Sequence, residues 1–176
     1  MKNSLLKFII LISFMVSGCS LDLKTKDLAK TALKEHSISV INNYFDLNYV
    51  ENNAIAFGFM SNISNNIRIP LIFLLTISAT LFGFYMIWKI RNRKFRFLLP
   101  FFIIIGGAYG NIVDRMLNGY VTDFFHLHYY YRYNFYVFNV ADVLVNIGII
   151  LIIIQWKDFH AIFDEIFPGK KVLKTE

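Results

Sequence analysis

The sequence predicts an α-helical integral membrane protein with four transmembrane helices, a small extracytoplasmic β-rich subdomain and a helical, aromatic outer loop. Of the 176 residues, 56% are hydrophobic and only 17% are charged, whereas about a quarter of the residues in soluble domains are charged. Four apolar runs are close to the roughly 20 residues that a helix needs to cross a bilayer. A chain of this length is expected to form one membrane domain over residues 1–176.

The predicted spans cover about residues 5–21, 69–90, 97–113 and 138–156. Basic residues orient them, because Lys and Arg in short loops stay cytoplasmic. These residues cluster before the first span, in the loop 89–96 and in the tail 157–176. An even number of spans places all three clusters in the cytoplasm, with both termini, and places the loops 22–68 and 114–137 outside. The net charge of +6 is thus a topology signal, and no nucleic-acid partner is expected.

The first span contains a second signal, Val16-Ser17-Gly18-Cys19, that is typical of a lipoprotein precursor modified at its cysteine. In that alternative the chain would be cut before Cys19 and anchored by lipid. Three further spans follow, so a lipid anchor would add nothing, and we favour an uncleaved first helix. Cys19 is the sole cysteine, which excludes an internal disulfide.

The two outward loops differ in pattern. Apolar residues in Asp27–Ser39 recur at a helical spacing, which indicates a continuation of the first helix or an interfacial helix. The stretch Ile38–Phe59 is rich in β-favouring residues interrupted by Asn and Asp, which predicts strands and turns. The Tyr-rich stretch 129–136 in the second loop favours anchoring at the water–bilayer interface, with an aromatic cap over a site as the alternative.

Two aspartates are the leading candidates for chemistry. Asp123 lies in the second outward loop and Asp142 at the start of the fourth span, where a carboxylate is costly and therefore a functional candidate. If the two meet, they share one proton, so the ionised carboxyl can take a proton from water while the neutral one polarises a scissile carbonyl. The pair therefore predicts hydrolysis at the membrane surface. The alternative is that Asp142 only caps the fourth helix and that Asp123 pairs with a nearby Arg.

A second polar group lies at the outer end of the third span. Asn111 and Asp114 are three residues apart on one helix face, and Arg115 follows them. This group could orient the aspartates or bind a phospholipid headgroup. The alternative is that it only satisfies the helix end. Just before it, the G-x-x-x-G pattern in 106–110 permits close helix packing.

Other catalytic patterns receive little support. His126 and His128 form an H-x-H motif, but the remaining histidines, His36 and His160, are distant in sequence, so no metal site is predicted. The sequence contains neither a Gly-rich phosphate loop nor G-x-S-x-G. Nucleotide binding and serine-esterase chemistry are therefore not expected.

Five motifs, in order along the chain, resemble those of the signal peptidase II (lipoprotein signal peptidase) family of bacterial membrane aspartic proteases. They are Asp22-Leu23-Lys24-Thr25-Lys26 (D-x-x-[ST]-K), Asn52-Asn53-Ala54-Ile55-Ala56-Phe57 (N-x-G-x-A-F), Gly110-Asn111-Ile112-Val113-Asp114-Arg115 (G-N-x-x-D-R), Gly119-Tyr120-Val121-Thr122-Asp123-Phe124 (G-x-V-x-D-F) and Phe138-Asn139-Val140-Ala141-Asp142 (F-N-x-A-D). The similarity runs from about Leu5 to Trp156. Ala54 departs from the pattern, because the family has Gly there, and Ala would strain a backbone that needs a positive φ.

The resemblance implies an aspartic endopeptidase of the bacterial inner membrane, with its site at the outer face. It implies Asp123 and Asp142 as the catalytic dyad and no metal or cofactor. It also implies polar groups that line the site, namely Asn52, Asn111, Asp114, Arg115 and Asn139, and a positioning pair, Asp22 and Lys26. Its substrate would be a prolipoprotein already carrying diacylglycerol, cut just before the lipidated cysteine.

Two other classes stay open alongside the peptidase. One is a non-enzymatic four-span carrier or assembly protein whose carboxylates handle protons or ions. The other is the lipoprotein precursor described above. Membrane phospholipid is the further partner expected, and the oligomeric state is left open, with a monomer expected.

Overall fold

Five helices dominate the protein, which was analysed as a computed structural model that describes residues 2–53 and 64–168. The helices are α1 (Lys2–Ala32), α2 (Asn65–Ile90), α3 (Phe95–Asn118), α4 (Val140–Ile154) and α5 (Trp156–Ile166). Within the described residues, α1, α2 and α3 are each long and apolar enough to cross a membrane. Helices α4 and α5 meet that test only as a pair, and they are bent by 85° at the break between them.

The helices begin and end at recognisable signals, and several of them extend beyond the predicted spans. Helix α1 continues to Ala32, beyond the predicted end of the first span near residue 21. The residues with helical spacing after Asp27 therefore belong to the first helix as far as Ala32. Helix α2 begins at Asn65 and α3 runs from Phe95 to Asn118. Helix α3 stops there because Gly119 adopts a left-handed conformation, with φ of 82°, as is typical of a helix C-terminus.

The fourth apolar run is shorter as a helix than as a sequence pattern. Helix α4 begins at Val140, after the N-cap Asn139, and has 15 residues, a length of about 22 Å. The chain then turns into α5, whose Phe159 and Ile162 are buried. Part of the predicted tail 157–176 is therefore an amphipathic helix, which closes one end of the bundle. The basic residues beyond Pro168 lie outside the described part of the chain.

A four-stranded antiparallel sheet lies outside the helix bundle. It contains β1 (Ile38–Ile41), β2 (Phe45–Asn52), β3 (Val121–Tyr129) and β4 (Tyr133–Asn134), in that order. The predicted strands in Ile38–Phe59 are confirmed as far as Asn52. Residues 54–63, which include the Ala54 position and the rest of its motif, lie outside the described residues.

The predicted helical character of the second outward loop is wrong, because that loop forms β3 and β4. Strand β3 pairs with β2 from Phe45 opposite Leu127 to Asn52 opposite Val121. This pairing joins segments about 75 residues apart, so a pattern read within the loop alone could not reveal it. The Tyr-rich tip between the strands turns through Tyr130 and Tyr131, both with positive φ. Interfacial anchoring by its exposed rings stays a prediction.

Helix α3 is the centre of the molecule and packs against α1, α2 and α4. Its buried phenylalanines, Phe97 and Phe101, contact Phe159 of α5 in edge-on geometry. Contacts with α1 and α4 are very close. Cβ atoms at Gly106 and Gly110 would lie 2.8 Å from the carbonyl oxygen of Met15 and 2.4 Å from Asp22 Oδ2, both on α1, and one at Gly107 would lie 2.6 Å from the carbonyl oxygen of Ala141. The predicted G-x-x-x-G packing is confirmed, and it brings the polar residues of three helices together.

The position of Cys19 favours an uncleaved first helix. Cys19 is partly buried in the uninterrupted helix α1. A Cβ on the preceding Gly18 would meet Leu144 of α4 at 3.0 Å. A precursor cut before Cys19 would lose this packing between the first and fourth helices.

Candidate active site

The candidate site forms where the C-terminal parts of α1 and α3 and the first turn of α4 meet the sheet. Its base is the buried ion pair of Asp22 and Lys26, one turn apart on α1, with Lys26 Nζ 2.7 Å from Asp22 Oδ2. The other oxygen of Asp22 accepts a hydrogen bond of 2.8 Å from the backbone N–H of Ala141. Both side chains are fully buried, so each charge depends on its partner. The pair joins α1 to the start of α4.

Lys26 also connects α1 to α3. Its Nζ donates a hydrogen bond of 2.7 Å to Asn111 Oδ1 and lies 3.8 Å from Asp114 Oδ2. Asn111 then donates through Nδ2 to Asp142 Oδ1, at 3.0 Å. A chain of polar contacts therefore runs from the buried pair on α1 to the carboxylate on α4.

Asp142 occupies the third position of helix α4, where it completes a capping box. Its backbone N–H donates to Asn139 Oδ1 at 3.0 Å, and its Oδ2 accepts from the backbone N–H of Asn139 at 3.2 Å. The capping role that was the structural alternative for Asp142 is thus present. It occupies only one carboxylate oxygen, however, and the other faces Asn111.

Asp123 lies on β3, almost completely buried, between two amides. Asn139 Nδ2 donates to Asp123 Oδ1 at 2.6 Å, and Asn52 Nδ2 donates to Asp123 Oδ2 at 2.7 Å. Asn139 therefore touches both candidate aspartates, through its side chain on Asp123 and its backbone on Asp142. One residue thus contacts both carboxylates, although they lie on different elements.

The electrostatics differ between the two aspartates. Burial, and then the nearby charge of Asp142, raises the pKa of Asp123 to about 7, although the hydrogen bonds from Asn52 and Asn139 oppose the rise. Asp142 lies at a helix N-terminus, where the peptide dipoles favour a negative charge. Buried Arg115 interacts electrostatically with Asp123, Asp114 and Asp142. The arrangement can hold one shared proton on Asp123 near neutral pH.

Asp114, which the resemblance implied as a site-lining residue, holds the sheet to the helices beside Asp123. Its Oδ2 accepts a hydrogen bond of 2.6 Å from the backbone N–H of Thr122, next to Asp123. Its Oδ1 lies 3.3 Å from Lys30 Nζ and accepts from Asn118 at 2.6 Å. The sequence reading missed Lys30, although its position one turn after Lys26 on α1 was a usable signal.

A family model described as signal peptidase (SPase) II matches residues 14–157. Relatives named lipoprotein signal peptidase include one from Syntrophotalea carbinolica, 34% identical over 90% of this chain and 96% of the relative. Another, from Chlorobium phaeobacteroides, is 35% identical over 88% and 90%. One from Clostridium acetobutylicum is 40% identical over 78% and 86%.

Solved structures are similar over the whole fold. One bacterial membrane enzyme, determined by the in meso method, matches with a TM-score of 0.66 and 26% sequence identity, covering 100% of this chain and 96% of that one. A second, determined by the same method, matches with a TM-score of 0.65 and 25% identity, covering 89% and 93%.

Proposed function

This chain belongs to the signal peptidase II family of membrane aspartic proteases that process prolipoproteins, and we propose that Asp123 and Asp142 are its catalytic pair. The observation that carries the proposal is the bridge by Asn139, which contacts both carboxylates. A residue that contacts both acidic groups keeps them near each other, and the repulsion between two nearby carboxylates favours a state in which the pair holds one proton.

The two aspartates have different parts in the proposed reaction. Asp142, ionised at the start of α4, accepts a proton from water, and the water oxygen attacks the scissile carbonyl carbon. Asp123, which has the raised pKa, donates its proton to the carbonyl oxygen. In the second step Asp142 returns its proton to the leaving amine as the C–N bond breaks. The carbonyl then re-forms as Asp123 recovers its proton, so the pair ends as it began.

The surrounding groups hold the two aspartates in the positions that these different roles need. Asn111 orients Asp142, and Asn52 and Asn139 orient Asp123. The buried pair of Asp22 and Lys26 supports this layer from beneath, since Lys26 holds Asn111 and Asp22 holds the first turn of α4. Arg115 adds a positive charge that offsets the local excess of carboxylates.

We further propose that α4 is the fourth span, with the site near the outer edge of the bilayer and the peptide bond cut just before a lipidated cysteine. Asp142 lies in the first turn of α4, so in this arrangement it is only a short distance below the outer edge of the bilayer. A diacylglyceryl chain partitions into the bilayer at about 0.8 kcal/mol per buried CH₂ and would hold the scissile bond at that depth.

The dyad is tested by Asp123→Asn and Asp142→Asn, assayed on a diacylglyceryl-modified prolipoprotein with purified protein. Each variant should lose turnover while staying folded, because an amide keeps the shape of the carboxyl but cannot exchange the proton. Asp27→Asn, an exposed aspartate on the outer part of α1, is the matched control and should keep full activity. Either dyad variant retaining more than about a tenth of wild-type turnover, a deficit under 1.4 kcal/mol in the barrier, would refute the assignment.

The substrate proposal is tested by comparing the same prolipoprotein with and without its diacylglyceryl group, in detergent or bilayers. The unlipidated form should be cut at least on the order of a hundredfold more slowly, which is about 2.7 kcal/mol in the barrier. Equal rates would mean that the enzyme reads the peptide alone and that depth in the membrane has no part in recognition.

A further inference from the structure

A second polar cluster lies on the outer sheet, on the face opposite to Asp123. His126 and His128 are two residues apart on β3, so both project from the same face of the sheet. Asp123 lies three residues before His126 and therefore projects from the opposite face. Asp46 on β2 is the direct cross-strand partner of His126. The sequence showed only the H-x-H motif. Strand pairing adds the carboxylate that the motif lacked.

The three side chains present their ligand atoms to one point. One oxygen of Asp46 and one ring nitrogen from each histidine lie within 4.8 Å of one another, and His128 Nε2 is 3.1 Å from Asp46 Oδ2. Ligands at 2.0–2.2 Å from a tetrahedral ion are about 3.4 Å apart. A contraction of about an ångström at the widest pair would therefore place all three around one ion.

Two buried atoms of this cluster lack a hydrogen bond among the described residues. His128 Nε2 lies 3.1 Å from Asp46 Oδ2 in a contact of poor hydrogen-bond geometry, and Asp46 Oδ1 has no hydrogen-bond partner of good geometry among the described residues. Both side chains are more than nine-tenths buried. Tyr131 donates its hydroxyl to Asp46 Oδ2, at 2.9 Å, and Ser39 interacts with the same carboxylate. Poorly paired buried polar atoms are costly, so these atoms are suited to bind an ion.

We infer that Asp46, His126 and His128 bind a divalent late first-row transition metal ion, for which Zn²⁺ is the natural probe. Two imidazoles and one carboxylate are the donor set that such ions prefer, with a position left for water. His126 is only partly buried, so an ion can enter from the outer solvent. The ion would join β2 to β3, the strand that carries Asp123, without touching the reacting groups.

The second layer of contacts fits this site. Asn48 lies on the same face of β2, with its Nδ2 2.9 Å from His126 Nδ1, while its own Oδ1 is buried without a partner. A half-turn of the amide lets Oδ1 accept a hydrogen bond from the Nδ1–H group of His126, which leaves the Nε2 lone pair for the ion, as is usual for metal-bound histidines. On His128, ligation through Nε2 places the proton on Nδ1, so the long hydrogen bond of 3.4 Å from the backbone N–H of Tyr131 to Nδ1 would have to open.

The test is Zn²⁺ binding to the purified full-length protein after removal of metals, measured by competition with a chromophoric chelator. We expect one saturable site, and Co²⁺ in its place should give the visible absorption of a nitrogen- and oxygen-ligated ion. His126→Gln and Asp46→Asn should each weaken binding by at least on the order of a hundredfold, and Asn48→Ala by about tenfold. His160→Ala, which breaks the exposed His160–Asp164 pair on α5, is the matched control and should bind like the wild type.

Zn²⁺ should also raise the unfolding temperature of the wild type and of His160→Ala but not of His126→Gln, because the ion binds only the paired strands. Prolipoprotein cleavage should continue in the presence of a chelator, since the site lies on the other face of the sheet. Absence of a saturable site, or equal binding by wild type and His126→Gln, would overturn the inference. Loss of cleavage on chelation, restored by Zn²⁺, would overturn the separation of this site from catalysis.

Discussion

Asn139 is the residue on which the candidate site depends most. Its side chain holds Asp123 and caps α4, and its backbone holds Asp142. The motif Phe138-Asn139-Val140-Ala141-Asp142 made Asn139 a candidate, but only the fold shows that one amide serves both aspartates. The same is true of Asp114, whose real partner is a backbone N–H on β3, which no pattern in the sequence could indicate.

Asp123 should give the enzyme an alkaline limit near neutral pH. Its pKa is raised to about 7, chiefly by burial, and the mechanism needs it protonated. Turnover should therefore fall by about tenfold per pH unit above that value. The measurement is kcat/KM against pH on a lipidated prolipoprotein. A rate that stays flat from pH 6 to about 9 would contradict Asp123 as the acid.

The free energy of unfolding should also fall as the pH rises, as turnover does. The folded state holds the Asp123 proton more tightly than the unfolded chain, where the pKa is near 3.8. The stabilisation from this group is therefore complete below pH about 4 and is lost as the pH rises through about 7. Asp123→Asn should remove that slope from the pH dependence of thermal unfolding, while Asp27→Asn should retain it.

At the scale of elements, the contact between α3 and α4 decides where Asp142 lies. Gly107 of α3 approaches the backbone of Ala141, the residue just before Asp142, so closely that no side chain fits. The sequence predicted close packing at the G-x-x-x-G pair, Gly106 and Gly110, which faces α1, whereas Gly107 faces α4. It could not say which helix would approach, because that depends on the arrangement of the whole bundle.

Gly107→Ala should separate α3 from α4 and displace Asp142. We expect a loss of about 1–3 kcal/mol in stability and a fall in kcat of up to about a hundredfold, since displacement of a reacting group by about 1 Å can cost that much. Thermal unfolding and cleavage rates measure the two effects.

Gly83→Ala on α2 is the control, because its added Cβ meets only the flexible side chain of Ile105, at 3.2 Å. It should unfold and cleave almost as the wild type does. Equal behaviour of the two variants would show that the close approach at Gly107 does not position Asp142.

At the scale of the whole molecule, the main question is how the chain lies in the membrane. Three helices pass the length test alone, and the bent pair of α4 and α5 passes it together. A helix of about 22 Å is shorter than a bilayer core of about 30 Å. The bend lets α5 lie along the cytoplasmic surface in our proposal, with Phe159 turned into the bundle.

Reporter fusions test this arrangement. Fusions at residue 94 and at the C-terminus should report the cytoplasm, and one after Asn42 should report the outer side, because the basic loop between α2 and α3 stays inside. A signal from the outer side at residue 94 would overturn the four-span proposal.

The sequence by itself determined the class of the molecule, its apolar helices and the strands before Asn52, and it singled out the two aspartates that we propose as the dyad. These follow from local composition, from periodicity and from motifs whose members are close in the chain. Only the tertiary structure decided the strands in the second outward loop, the role of Asp114 and Lys30, the bend after α4 and the meeting of Asp46 with His126 and His128. Each of these depends on contacts between segments that are distant in the chain. Such contacts form only when the apolar faces of all the elements are packed against one another at the same time.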